Sequence, residues 1–183
     1  MSWSGGNKFA DIHRRIRHVW AEDVANGNGN LSKVLVFCNK STKVVELCAY
    51  LEEQGVKCVP MTSASEHRGR GSNRHLAGFL KKHTNSNTVE RRGKTSEGGG
   101  GDVKTNPHVM VTTSLLSRGL DFSPEIKHVF IVDEPRNMVD FLHRAGRSGR
   151  AGQCGKVVIF GKLKGRGSER GRDVKRRVGT LAT

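Results

Sequence analysis

The run Val34-Leu35-Val36-Phe37-Cys38, followed by a helical pattern and a second apolar run, narrows the choice of fold more than any other stretch. From about Thr42 to Glu53 the residues Val44, Val45, Leu47, Cys48 and Leu51 supply a buried helical face, Gly55 closes the helix, and 56–59 opens another strand. A strand, a helix and a strand in that order make a βαβ unit, which implies a parallel sheet with helices on its faces. Strand-like runs return at 109–113, 128–132 and 157–160, with a helix expected from Met138 to about Arg147. Leu76, Phe79 and Leu80 predict a further helix over 73–82. The fold class is therefore α/β.

Ahead of this unit, Phe9, Ile12, Ile16, Val19 and Trp20 fall three or four residues apart, the spacing of an amphipathic helix. It runs into the break Asn26-Gly27-Asn28-Gly29-Asn30. Residues 1–30 read as a flanking helix and linker that pack on the sheet, with a partner-binding helix as the other option. Residues 31–161 form the main domain. Within it, 83–107 has almost nothing to bury and includes Gly98-Gly99-Gly100-Gly101, so it reads as a disordered surface insertion. Its Gly93-Lys94-Thr95 invites a phosphate-loop reading, but Thr88 stands where such a loop needs its first glycine, and no strand precedes it.

A chain of 183 residues suffices for one domain with a full core. Its formal net charge of +15 calls for an anionic partner. Nucleic acid fits better than membrane, because no run approaches the roughly 18 apolar residues of a spanning helix. Residues 162–183 form a basic, Gly-punctuated tail that either grazes RNA or ends in solvent. Cys38, Cys48, Cys58 and Cys154 include no Cys-x-x-Cys pair, so no metal site is expected, and reduced cysteines suit cytosol, nucleus or mitochondrial matrix. The first residues carry no apolar signal segment or Arg-rich turn; a targeting signal would belong to a longer parent chain.

The chemistry concentrates in His143-Arg144-Ala145-Gly146-Arg147-Ser148-Gly149-Arg150. Guanidinium stays charged and offers planar donor forks, so Arg147 and Arg150 at this spacing suit bidentate contact with phosphate oxygens. Taken alone, the element could equally be a solvated basic helix end. Its companions are the strand Val34-Leu35-Val36-Phe37-Cys38-Asn39, the turn Thr113-Ser114-Leu115-Leu116-Ser117-Arg118-Gly119-Leu120-Asp121, and Val129-Phe130-Ile131-Val132 running into Asp133-Glu134-Pro135.

In this order the segments resemble the second RecA-like domain of DEAD-box RNA helicases over about residues 31–160, most closely the fungal mitochondrial branch associated with assembly of the large mitochondrial ribosomal subunit. The resemblance implies a RecA-like parallel sheet and an ATP-dependent RNA helicase acting in the mitochondrial matrix as a monomer. It gives Arg147 and Arg150 the part of arginine fingers and makes His143 the residue coupling nucleotide state to RNA. Asp121 becomes the acceptor for the ATP ribose, and Arg144, with Asp133, lies toward the partner domain. RNA backbone contacts fall to Asn39, Thr113, Arg118 and Gly119. Arg118 could instead pair with Asp133 or Asp121. The partners implied are RNA, ribosomal by resemblance to that branch, and an N-terminal RecA-like domain that holds most of ATP and Mg2+.

Three departures from the family pattern stand out. Ser114 replaces a family aspartate. No Gln-x-x-Arg precedes the 73–82 segment, so only Arg68, Arg70 and Arg74 are available for RNA there. The 83–107 insertion is long for the family. The sequence also holds no phosphate loop after a strand, no Asp-Glu-Ala-Asp and no adenine-reading Gln motif, so on its own it is not expected to hydrolyse ATP. Two other classes remain open: a passive RNA-binding scaffold and a duplex-DNA translocase of the same superfamily.

Overall fold

A computed structural model describes residues 2–3, 7–27, 30–62, 76, 78–81, 107–149 and 154–162. In chain order the elements are β1 (Ser2–Trp3), α1 (Lys8–Ala25), β2 (Lys33–Cys38), α2 (Ser41–Glu53), β3 (Cys58–Pro60), β4 (Val109–Thr113), β5 (Ile126–Ile131), α3 (Met138–Ala145), β6 (Lys156–Ile159) and β7 (Gly161–Lys162). Strands β3-β4-β2-β5-β6 form one sheet in that order, and every pairing is parallel. The short β1 and β7 pair separately, also in parallel.

Successive side chains of a strand point to opposite faces, so β2 feeds two cores at once. Val34, Val36 and Cys38 join Val44, Leu47 and Leu51 of α2 and Ile12, Ile16 and Val19 of α1. Leu35 and Phe37 join Met110, Phe122, Val129, Ile131 and Phe141 on the other side, where α3 lies. Each such fully buried apolar side chain contributes about 1.5–3 kcal/mol relative to exposure. Helices thus cover both faces of a parallel sheet, as the βαβ pattern requires.

The flanking helix α1 is part of the first core. Asn7 caps it by accepting the Phe9 N–H at 3.0 Å. At its far end the Trp20 indole donates to the Ser32 carbonyl at 3.1 Å, and Asp23 accepts from the Ser32 N–H at 2.8 Å and hydroxyl at 2.9 Å. These bonds fasten the helix to the start of β2.

Of the helix expected over 73–82, residues 73–75, 77 and 82 lie outside the described residues. The described part closes one turn, with the Leu80 N–H donating to Leu76 O, and Leu80 then bridges antiparallel to Phe122. The insertion 83–107 and the tail 162–183 lie outside the described residues but for Pro107 and the backbone of Lys162.

His128 on β5 is buried, and its Nδ1 has no hydrogen-bond partner among the described residues. Burial pushes its pKa below the ordinary value, with Lys156 and Arg15 acting the same way and Asp23 and Glu22 opposing. The unfolded chain therefore binds a proton more readily than the folded one, and stability falls as pH drops below about 6.5. Thermal unfolding of wild type should lose more on going from pH 7.5 to 5.5 than that of His128→Phe, whose midpoint carries no such titration.

Candidate nucleic-acid interface and nucleotide face

Arg144 organises the C-terminal edge of the sheet. It lies on α3, one of the largest fully buried side chains, with 2% of its surface exposed. A guanidinium can be buried only if its donors are satisfied and its charge is met. Both conditions hold. Its Nη2 donates to Asp140 Oδ2 and to Asn39 Oδ1, each at 2.7 Å; its Nη1 donates to the Asp133 carbonyl at 3.2 Å. Its Nε donates to Ser114 Oγ at 2.7 Å, and the guanidinium lies 5.8 Å from the Phe37 ring centroid. Asp140 stands one helical turn before Arg144, the spacing at which side chains on a helix meet.

Burial would raise the Asp140 carboxyl, yet bonds from the Arg136 N–H, the Ser114 hydroxyl and Arg144 hold it below its ordinary value. Asp133 is also held low against burial, by Lys43 at 2.6 Å and the Asn39 N–H at 3.0 Å, with Lys8 of α1 adding 3.6 Å away. Arg144 and Asp133, expected toward a partner domain, each also have charge partners within this one, Asp140 for the first and Lys43 for the second. The ion pairs considered for Arg118 are absent among the described residues, since Asp133 meets Lys43 and Lys8 and Asp121 meets Lys81.

Around this network is a groove of about 360 Å³. Because β4 and β5 flank β2, Thr113, Ser114, Leu115 and Arg118 from the end of β4 make one wall and Arg136, Asn137, Val139 and Asp140 beyond β5 the other, with Asn39 and Arg144 also lining it. Three of the expected RNA residues, Asn39, Thr113 and Arg118, therefore meet at one place. Gly119 follows in the same turn at φ +78°, a conformation that favours glycine, and no atom lies within 4 Å of where a Cβ would stand. The backbone there is open to close approach. The Asn39 side chain is partly committed, donating to Glu134 O at 2.9 Å and accepting from Arg144. Cys38 lines the groove as well, but burial, then the charge of Asp133, pushes its thiol up to about 12. Arg68, Arg70 and Arg74 lie outside the described residues.

On the other side of α3, Arg147 donates to the Leu120 carbonyl at 3.1 Å and stacks 5.5 Å from the Phe122 ring centroid. That places its guanidinium beside Asp121, which is exposed. His143 is exposed on the same helix. The loop from Ser114 to Phe122 is thus held at two points, by Arg144 of α3 and by Arg147 in the turn that follows it. Arg150 lies outside the described residues. Gly155 holds the turn from behind: a Cβ there would stand 2.4 Å from Gly149 N and 2.7 Å from Ser148 Oγ. Ser114, Arg136, Asn137, Asp140 and Gly155 are the positions that sequence reasoning did not assign. Only Asp140 carried a signal, its four-residue offset from Arg144.

A five-stranded parallel sheet with this edge has the fold of the C-terminal domains of DEAD-box proteins. The C-terminal domain of the DEAD-box protein Dbp5 aligns with a TM-score of 0.56 at 15% identity, covering 99% of this chain and 81% of that one. A DEAD box protein from Methanococcus jannaschii aligns at 0.55 and 20% identity, covering 90% and 37%. The chain belongs to the helicase conserved C-terminal domain family, whose model matches residues 16–152. In sequence it is 39% identical over 180 residues to the mitochondrial ATP-dependent RNA helicase MRH4 of Cryptococcus neoformans var. neoformans serotype D, which covers 85% of this chain and 32% of that protein. It is 29% identical to the ATP-dependent RNA helicase DBP2 of Candida albicans, covering 84% and 22%. The chain spans a third or less of the length of the curated relatives it matches.

Proposed function

We propose that this chain is the second RecA-like domain of an ATP-dependent RNA helicase, working as half of a composite site. The observation that carries the reading is the double use of α3. Through Arg144 the helix holds the loops of a basic groove, and Arg147 in the turn after it holds the loop bearing Asp121. A helix tied to both is suited to relay nucleotide state to RNA.

The nucleotide face fits MgATP in its donor set: Asp121 offers an exposed acceptor for ribose hydroxyls, and Arg147 a cation beside it. Bound mainly by an N-terminal RecA-like domain, MgATP supplies the phosphoanhydride whose hydrolysis drives the cycle. Arg147 and Arg150 of this chain neutralise charge that develops on the transferring phosphoryl oxygens. His143, exposed between the two faces, couples them. Asn39, Thr113, Arg118 and Gly119 contact the RNA backbone, and Arg68, Arg70 and Arg74 supply further charge for RNA. Backbone contacts read no sequence, which suits strand separation. Asp133 and Arg144 support the interdomain edge from within. The relatives' names favour mitochondria, and the resemblance favours ribosomal RNA during assembly of the large mitochondrial subunit in the matrix.

The isolated chain tests this reading. It should bind single-stranded RNA with affinity that falls steeply with salt, and should turn over no ATP. Measured by fluorescence anisotropy and phosphate release, ATP turnover by the pure chain would refute the split-site assignment.

A further inference from the structure

We propose that Arg136 is a second phosphate-binding residue of the groove, opposite Arg118, so that single-stranded RNA is gripped from both walls. The inference rests on the RNA-binding reading above and adds a residue to it. Arg136 follows Pro135 at the entrance to α3, and its backbone N–H donates to Asp140 Oδ2 at 3.0 Å, which fixes its Cα at the rim. Its side chain is exposed and lines the groove, as does that of Arg118 across from it.

The charge balance singles out these two. Asp140 is taken up by Arg144, and Asp133 by Lys43 and Lys8. Among the described residues neither Arg118 nor Arg136 has a carboxylate partner. The groove therefore holds two guanidiniums without a carboxylate partner among the described residues, one on each wall. Two apolar side chains accompany them: Leu115 is 73% exposed on the first wall and Val139 59% exposed on the second. A duplex turns mainly phosphates outward, whereas a single strand presents phosphates together with unstacked bases and sugars. Cations beside exposed apolar side chains match the second.

The test measures anisotropy of a labelled oligouridylate of about 12 nucleotides with the 183-residue chain, between about 50 and 200 mM salt. Arg136→Ala should weaken binding about fivefold and lower the slope of log affinity against log salt by about 0.7, as loss of one phosphate contact on a single strand predicts. Arg136→Lys should keep most of the slope, because the charge remains. Arg14→Ala, on exposed α1 surface, controls for net charge, and circular dichroism of each variant confirms the fold. If Arg118→Ala weakens binding while Arg136→Ala behaves like Arg14→Ala, the second grip is overturned and the RNA reading survives. If a duplex of the same length binds wild type more tightly, the single-strand assignment is overturned. If wild type binds no RNA, the function proposed above fails, and this inference with it.

Discussion

Alanine at Arg150 should lower RNA-stimulated ATP hydrolysis by the complete protein about a hundredfold or more, and alanine at Arg147 by a similar factor. Phosphoryl transfer asks little covalent chemistry of the protein and much positioning and charge neutralisation. Removing one preorganised donor from such a transition state costs about 10²–10³ in kcat. The effect should fall on kcat at saturating ATP and RNA, with RNA affinity nearly unchanged. Arg147→Ala carries a second cost, since Arg147 also donates to Leu120 O and covers Phe122. Arg147→Lys separates the two, keeping a charge and losing the planar fork. Steady-state phosphate release over a range of ATP concentrations measures both parameters, and an unchanged kcat would remove the fingers from the account.

Replacing Arg144 by alanine should destabilise the domain by about 3–5 kcal/mol, because it strands a carboxylate rather than merely deleting a contact. Asp140 has 7% of its side chain exposed, and its charge is met by Arg144 at 2.7 Å. Asn39 and Ser114 lose a donor at the same time. Urea unfolding should show a lower midpoint with an unchanged slope. Adding Asp140→Ala to Arg144→Ala should then cost far less than Asp140→Ala does alone, since the stranded charge goes with it. Equal, additive losses would mean that the two side chains are energetically independent. The same variant should also bind RNA more weakly, as the groove's floor loses its anchor.

The sheet was readable because the apolar run of β2 gives way to helical spacing in α2, and Gly55 closes that helix before β3. The boundaries moved for local reasons. β3 starts at Cys58, two residues later than the apolar run, because the Val56 N–H is still closing α2 on Leu51 O. α3 ends at Ala145, short of Arg147, because the Arg147 and Ser148 N–H groups turn back to carbonyls three residues earlier. The two-residue β1 and β7 carry no pattern at all. At the site, residue types and chain order picked out Asn39, Thr113 and Arg118, which line one groove, but not the burial of Arg144. A guanidinium in a Gly-punctuated basic element reads as solvent-facing. Its partners Ser114 and Asn39 lie 30 and 105 residues away in sequence, so only the fold brings them together. Ser114 registered as a lost carboxylate, whereas in the folded domain it accepts from Arg144 while Asp140 supplies the charge.

Under the proposed function this domain completes an RNA-dependent ATPase. ATP hydrolysis by the complete wild-type protein, with and without single-stranded RNA, tests it most directly. Turnover that rises with RNA and saturates at the RNA concentration that fills the groove is the predicted result. Persistent RNA binding with no RNA-dependent turnover would contradict it and leave a passive scaffold built on a helicase fold.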